Sequence, residues 1–112
     1  MSTDVATELD AVFDALGDPT RRHVLGVVAA SGPISATRIA ADLPISRQAV
    51  AKHLDVLRDG GLVRADRHGR ETRFTLTPDP LADAAEWLTT MGRQWDRRLD
   101  RLRSIVERPA DG

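Results

Sequence analysis

The chain has 112 residues and no cysteine, so a single domain is expected, and disulfide bonds and thiolate metal sites are excluded. Its formal net charge is −1, which by itself does not point to a nucleic-acid partner. The first ten residues have neither a basic start nor an apolar run, and no apolar stretch approaches the length that spans a bilayer. We therefore expect a cytoplasmic protein that has no membrane partner.

Charge is unevenly distributed along the chain. Residues 1–18 carry five acids and no Lys or Arg, residues 19–77 carry ten Lys or Arg against five acids, and residues 78–112 carry six Arg against seven acids. The positive charge therefore lies in the central segment, as expected when one face of a protein meets phosphates. A run of solvated charges gives the same pattern, so the structure of that segment has to decide between the two interpretations.

Two helices are predicted in the first third of the chain. Apolar residues recur at i, i+3, i+4 and i+7 over residues 5–16, which predicts a helix that Gly17 ends. These apolar residues are Leu9, Val12, Phe13 and Leu16. Asp18 is a favourable N-cap and Pro19 suits the first helical position, so we expect a second helix from there to about residue 30.

Two capped helices follow in the central segment, separated by a proline. Ser35 is expected to cap a third helix, which Pro44 ends. Ser46 is expected to cap a fourth helix, which the glycines at 60–61 terminate. Its inward face has apolar residues spaced by four and three, namely Val50, Leu54 and Leu57. A short helix, a tight turn and a second helix are typical of a helix-turn-helix, here over residues 35–59.

A hairpin and a long helix complete the predicted fold. Weak alternation over residues 62–66 and 72–77, with Gly69 between them, predicts a two-stranded β-hairpin. Residues 79–107 are expected to form a fifth helix of roughly 28 residues. The predicted fold is thus mainly α with a two-stranded β-hairpin, a single winged helix-turn-helix domain over residues 1–112 in which residues 62–77 form the wing.

The fourth predicted helix is the candidate DNA-binding helix. With its apolar residues packed inward, Arg47 and Gln48 project outward from the first turn, where Arg bonds guanine and Gln bonds adenine in a bidentate manner. Lys52 suits a phosphate, and Ser46 is expected to cap the helix, to contact a phosphate, or to do both. The alternative is an ordinary amphipathic surface helix.

The predicted hairpin tip is rich in arginine, which favours contact with the DNA backbone or the minor groove beside the helix. Arg67 and Arg70 flank the tip, so both are predicted contacts. Arg73 is a predicted contact as well, although Arg64 and Arg73 also fit cross-strand pairs on the sheet. The predicted DNA-binding residues are therefore Ser46, Arg47, Gln48, Lys52, Arg67, Arg70 and Arg73.

Three blocks of sequence carry a resemblance to a known family: LGDPTRR at 16–22, ISRQAVAKHL at 45–54 and LRDGGLV at 57–63. Through them the chain resembles the ArsR/SmtB winged-helix repressors over nearly its whole length. The resemblance implies a homodimer that leaves its operator when an effector binds, and a structural role for His53. Ala51 departs from the family pattern, which commonly has Ser there, so one hydroxyl contact is missing.

Many members of that family sense metals, which makes metal control the main alternative. The family's zinc-type site on the last helix uses His and carboxylates paired across the dimer, but the last helix here contains no His. The three histidines fall on separate predicted elements: His23, His53 and His68. Asp96 and Asp100 are spaced i, i+4 and either share a hard cation or pair with neighbouring arginines. We expect no metal and no cofactor.

The last predicted helix carries a heptad stripe, spaced alternately by four and three, that predicts a dimer interface. Gly92 lies in the stripe and costs about 1 kcal/mol relative to Ala, which a close approach of two helices would offset. We predict dimerisation through residues 1–17 and 79–107; the alternative is a monomer whose last helix folds back on its own domain. The predicted interface residues are Leu9, Phe13, Leu81, Leu88, Trp95, Leu99 and Leu102.

A row of large residues at the same place, Trp87, Met91 and Trp95, either lines a pocket for a small apolar effector or belongs to the core. No Gly-rich phosphate loop or nucleophile–base motif indicates an enzyme. We predict a repressor that binds double-stranded DNA sequence-specifically as a dimer on a palindromic operator, autoregulatory and metal-independent. The alternatives are a metal-responsive repressor and a winged-helix protein-interaction module that does not bind DNA.

Overall fold

The computed structural model describes residues 2–107, so that Met1 and residues 108–112 of the predicted domain lie outside the described residues. The elements in chain order are α1 (Ser2–Leu16), α2 (Pro19–Ser31), β1 (Ile34–Ser35), α3 (Ala36–Ala41), α4 (Arg47–Asp59), β2 (Val63–His68), β3 (Glu71–Leu76) and α5 (Asp79–Val106). The mainly α fold with a helix-turn-helix and a wing is therefore confirmed. None of the described helices is long and apolar enough to cross a membrane.

The predicted hairpin is confirmed as β2 and β3, but the sheet has a third strand, which was not predicted, in the order β1-β3-β2. The added strand β1 has two residues, and it pairs antiparallel with β3 through Ile34 opposite Phe74 and Ser35 opposite Arg73. Two residues are too few to show an alternating pattern in the sequence. Such a short strand forms only because a distant strand pairs with it.

The wing is longer and its turn tighter than predicted. β2 and β3 remain paired out to His68 opposite Glu71, so Arg67 lies within a strand and the turn consists of residues 69–70. Gly69 has φ +65°, the left-handed conformation that a two-residue hairpin turn requires and that glycine adopts without steric cost.

Three predicted helix N-caps are confirmed. Asp18 accepts a hydrogen bond from the backbone N–H of Arg21 at 2.8 Å. The Ser35 hydroxyl accepts one from the backbone of α3 at 3.2 Å, and the Ser46 hydroxyl accepts one from the backbone N–H of Ala49 at 3.1 Å. Each cap satisfies a backbone donor that the first helical turn would otherwise leave unpaired, and so sets where its helix begins.

The core lies between α1, α2, α3, α4 and the sheet. Its members are Val12, Ala15, Val24, Leu25, Val28, Ile34, Ile39, Val50, Leu54, Leu57, Leu62, Val63, Phe74 and Ala84. The three α4 residues predicted to face inward are among them, each with 0% of its surface exposed. Because this inner face is fully packed, the rotation of α4 is determined and its opposite face is directed to solvent.

The segment LGDPTRR forms a corner that joins α1 to the helix-turn-helix. Arg21 donates through Nη1 to the carbonyls of Asp14 and Ala15 at 3.1 and 3.2 Å, and Arg22 donates to the carbonyl of Leu16 at 2.6 Å. The last carbonyls of a helix lack partners within the helix and carry partial negative charge, which these guanidiniums satisfy. The two arginines therefore hold α1 against α2.

Candidate nucleic-acid interface

The solvent face of α4 carries the residues predicted to meet DNA. Arg47, Gln48 and Lys52 are exposed, and Ser46 precedes them at the N-cap. The Ser46 oxygen is already an acceptor for the helix backbone, but its O–H remains a donor that a phosphate oxygen can accept. The first turn of α4 is thus solvent-exposed and polar, and the Ser46 cap determines where it begins.

Arg47 is connected to α3. Its Nε donates to the hydroxyl oxygen of Thr37 at 2.9 Å, across the turn of the helix-turn-helix. We did not predict this contact from the sequence, because Thr37 belongs to a different helix ten positions earlier in the chain. Its exposed position in the first turn of α3, two residues after the Ser35 cap, is the feature that would have singled it out.

A cleft of about 570 Å³ lies between α3, α4 and the wing. Three of the predicted DNA-binding arginines line it: Arg47, Arg67 and Arg70. Asp55 and Glu71 also line the cleft, so the arginines are partly balanced by two acids. The structure therefore brings the recognition helix and the wing tip together on one concave basic face.

Arg73 lies elsewhere. The register places it next to Phe74 on β3 and opposite Asp66, so it is on the sheet face that points away from the core. Its Nε donates to Glu71 Oε2 at 2.7 Å, and this hydrogen bond holds the pKa of Glu71 below its usual value. Arg73 therefore pairs along its own strand with Glu71 and not across the sheet as predicted, while its contact with DNA stays a prediction.

The basic residues of residues 19–77 divide into two groups. Five of the ten are engaged with helix carbonyls or acids: Arg21, Arg22, Arg58 with Asp55 at 3.7 Å, Arg64 with Asp66 at 3.3 Å, and Arg73. The other five, Arg38, Arg47, Lys52, Arg67 and Arg70, lie on α3, on α4 and on the wing. The charge excess that indicated a phosphate-binding face is thus concentrated around the helix-turn-helix.

Comparison with known proteins identifies the family. A family model described as a helix-turn-helix domain matches residues 16–65. The HTH-type transcriptional regulator Rv2034 of Mycobacterium tuberculosis is 34% identical over 102 residues, which cover 91% of this chain and 92% of that protein. The solved structure of an ArsR-like transcriptional regulator from Rhodococcus sp. RHA1 has a TM-score of 0.80 at 40% identity, covering 95% of this chain and 99% of that chain. The chain belongs to the ArsR/SmtB family.

The transcriptional repressor SdpR of Bacillus subtilis is also similar, 29% identical over 91 residues that cover 81% of this chain and 100% of that protein. These relatives confirm the resemblance seen in the three sequence blocks. They also confirm the predicted class of function, a DNA-binding transcriptional repressor, and the family acts by binding DNA rather than by catalysis.

The three histidines, the candidate metal ligands of the sequence, lie on separate elements. His23 lies on α2, His53 on α4 and His68 on β2. Within residues 2–107, no three His, Asp or Glu side chains are grouped closely enough to hold a metal ion. Asp100 forms an ion pair with Arg103 at 3.8 Å, which fits the arginine-pairing interpretation of this acid.

The residues predicted for the ArsR/SmtB dimer interface fall into two sets. Leu9, Phe13 and Leu81 are partly buried and pack against the core of their own chain, and Phe13 meets Trp87 with ring centroids 5.4 Å apart. The others are exposed apolar side chains on α5: Leu88 (55%), Trp95 (56%), Leu99 (49%) and Leu102 (57%). Residues 92–106 of α5 are exposed throughout, so the described part of the chain does not cover this half of the helix.

The tryptophan row lines little empty space in the single chain, and the effector pocket stays a prediction. The cavity beside Met91 and Trp95 measures only about 40 Å³, and Trp87 is turned towards Phe13. A larger cleft of about 500 Å³ lies where α1, the end of α4 and the start of α5 meet. That volume falls in the range of small-molecule sites.

Proposed function

We propose that this chain is a metal-independent, autoregulatory repressor that binds an imperfect palindromic operator as a homodimer. The observation that carries the proposal is the basic cleft, in which Arg47 of the recognition helix faces Arg67 and Arg70 of the wing. Such a cleft allows α4 to enter a major groove while the wing lies against the adjacent backbone. Its place of action is the cytoplasm, on genomic DNA.

Base reading is assigned to the first turn of α4. Arg47 presents a guanidinium suited to the O6 and N7 atoms of guanine, and Gln48 presents an amide suited to adenine. Lys52, one turn further along the exposed face, and Arg70 at the wing tip are assigned to phosphates. Ser46 and Arg67 complete the predicted contact set, whereas Arg73 is left out because it pairs with Glu71.

Dimerisation is supported by the apolar stripe of α5, where Trp95, Leu99 and Leu102 are about half exposed in the single chain. Solvent-exposed apolar side chains in one contiguous stripe favour burial against a partner. Two-fold symmetry would place two α4 helices on one face of the DNA, about 34–36 Å apart. We assign repression to occlusion of polymerase by the bound dimer.

Release from the operator is assigned to a change in helix packing. A ligand in the α1–α4–α5 cleft would contact both the end of the recognition helix and the helices proposed for the dimer interface. Any displacement there changes the distance between the two α4 helices, and with it the fit to two half-sites. Metal independence is supported by the lack of cysteine and by the separation of the three histidines.

The experiment that tests the proposal is fluorescence anisotropy on DNA from upstream of the gene that encodes this chain, compared with a scrambled duplex, over a salt series with and without EDTA. Tight, salt-dependent preference for the upstream DNA that survives EDTA is the expected result. Preference that changes with EDTA would instead support a metal-responsive repressor. Lack of binding to both duplexes at low salt would contradict the proposal and favour a protein-interaction module.

A substitution of Gln48 tests whether the first turn of α4 contacts base edges. Gln48→Ala should weaken binding to the preferred duplex by about 1–3 kcal/mol and leave binding to the scrambled duplex nearly unchanged. Equal losses on both duplexes would remove Gln48 from base reading. Val56→Ala is the matched control, because Val56 lies on the same helix and is partly exposed but has no assigned contact with DNA.

A further inference from the structure

The bond between Thr37 and Arg47 joins the two helices of the helix-turn-helix at the point where DNA is read. Arg47 is the first residue of α4, and Thr37 is the second residue of α3. Both lie in first turns that a serine caps, Ser46 and Ser35 respectively. The 2.9 Å hydrogen bond between Nε and the hydroxyl therefore spans two backbone segments whose positions are already determined.

We propose that Thr37 is a positioning residue that sets the direction of the Arg47 guanidinium and thereby determines which base α4 recognises. The inference rests on the proposed DNA-binding function and adds a specificity determinant that lies outside the recognition helix. A guanidinium is planar, with five N–H donors in fixed directions. When Thr37 accepts from Nε, the two terminal nitrogens remain, and they form the pair that meets a guanine edge.

The cleft explains why Arg47 needs such a tether. Arg67 and Arg70 line the same cleft, and like charges in one concave space repel each other. An untethered Arg47 would also exchange among many rotamers, since arginine has one of the most flexible side chains. The hydroxyl of Thr37 fixes one nitrogen and leaves the positive charge in place. The restraint therefore acts on the direction of Arg47 and hence on discrimination between bases, whereas the charge that attracts phosphates is unchanged.

Two substitutions separate this role from a structural one. Thr37→Val keeps the branched shape and removes the acceptor, whereas Thr37→Ser keeps the hydroxyl and removes a methyl group. Because Thr37 is exposed, both variants should fold with unchanged circular dichroism. In the free protein, the ¹⁵N–¹H resonance of Arg47 Nε, assigned by comparison with Arg47→Ala, should be shifted and slow to exchange. In Thr37→Val, the chemical shift of Arg47 Nε should move to the averaged value of a freely rotating side chain. In Thr37→Ser, the chemical shift should remain that of the wild type.

The DNA measurement compares dissociation constants on the upstream and scrambled duplexes. Thr37→Val should reduce the preference for the upstream duplex by about tenfold, consistent with loss of one well-directed base contact, with an unchanged salt slope. Thr37→Ser should stay within about twofold of wild type. In an Arg47→Ala background, Thr37→Val should have no further effect, because the group that it directs is already missing.

The outcomes that overturn the inference are equally specific. An Arg47 Nε resonance that is unchanged in Thr37→Val would show that the bond does not restrain the side chain. Equal losses on both duplexes would make Thr37 a phosphate contact, and additive losses with Arg47→Ala would make its effect independent of Arg47. A wild-type protein without duplex preference would overturn the proposed function itself, while the resonance still decides whether Thr37 restrains Arg47.

Discussion

The helix-turn-helix and the second half of α5 are both exposed to solvent, but in opposite ways. In α4, Leu54 and Leu57 are completely buried, and the exposed face consists of polar and charged side chains apart from Val56. In α5, residues 92–106 are exposed on every side, including Leu99 and Leu102. The first region is a packed unit with a charged surface, whereas the second has an apolar surface that the described residues of the chain do not cover.

The difference indicates which kind of partner each region suits. Arginine side chains in a concave cleft complement the phosphates and base edges of duplex DNA. An apolar stripe with a heptad spacing complements another apolar helix, because burial of the stripe is favoured over its exposure to water. The two surfaces lie on different elements, so changes in one should leave the other intact, and the following substitutions test that independence.

The largest expected effect is on the folded unit itself. Leu54→Ala should lower the free energy of unfolding by about 2–5 kcal/mol, because it removes a fully buried side chain and leaves a cavity in the core. Urea denaturation followed by circular dichroism measures this loss. Val56→Ala on the same helix, where 37% of the side chain is exposed, should change stability by less than about 1 kcal/mol. Similar losses of stability for both variants would mean that the buried and exposed faces of α4 are wrongly assigned.

A charged residue introduced into the apolar stripe of α5 tests whether this stripe forms the dimer interface. Leu99→Asp should leave the thermal midpoint of the domain nearly unchanged but give a monomer by light scattering at micromolar concentration. Affinity for the full operator should fall by about 100-fold, because bivalent attachment is lost, while affinity for a half-site stays the same. Thr90→Asp adds the same charge on the opposite side of α5 and should remain dimeric. A Leu99→Asp protein that is still dimeric would place the interface elsewhere.

The wing provides a smaller and paired test. Arg70→Ala should weaken binding to all duplexes and make the slope of log affinity against log salt shallower by about one. Arg73→Ala should leave that slope unchanged, because Arg73 lies on the other sheet face, paired with Glu71. A reduced slope for Arg73→Ala would return it to the DNA-binding set, and an unchanged slope for Arg70→Ala would remove the wing tip from it.

The smallest expected effect concerns pH. The backbone N–H of Arg21 donates to Asp18 and holds the pKa of that carboxyl below its ordinary value of 3.8, with a smaller contribution from the charge of His53. Since the folded-state pKa is depressed, Asp18 stabilises the fold at neutral pH, and the stabilisation is lost as pH falls through the folded pKa. Asp18→Asn should therefore show a weaker decline of thermal midpoint below about pH 4. Asp10→Asn, an exposed acid on α1, should decline as wild type does.

Features determined by short-range interactions could be predicted from the sequence. The caps at Asp18, Ser35 and Ser46, the buried face of α4 and the 28-residue length of α5 follow from residues within one or two turns of each other. Strand β1 depends on a partner far along the chain, and no periodicity encodes it. The ion pair of Arg73 with Glu71 joins residues only two positions apart on β3, but the sequence does not show which of several nearby acids the arginine meets. The contact between Thr37 and Arg47 belongs to the same group, because it requires the two helices to be placed in space first.

The uncovered half of α5 has a consequence for how long each copy of the chain persists. A helical stretch of 15 residues whose side chains are all exposed is only marginally stable in water, so in the unpaired chain its backbone should open often and be accessible to proteases. Pairing on the apolar stripe would close that route. Unpaired chains, whose fraction rises as the concentration falls, should then be degraded first, which links the turnover of the protein to its own concentration.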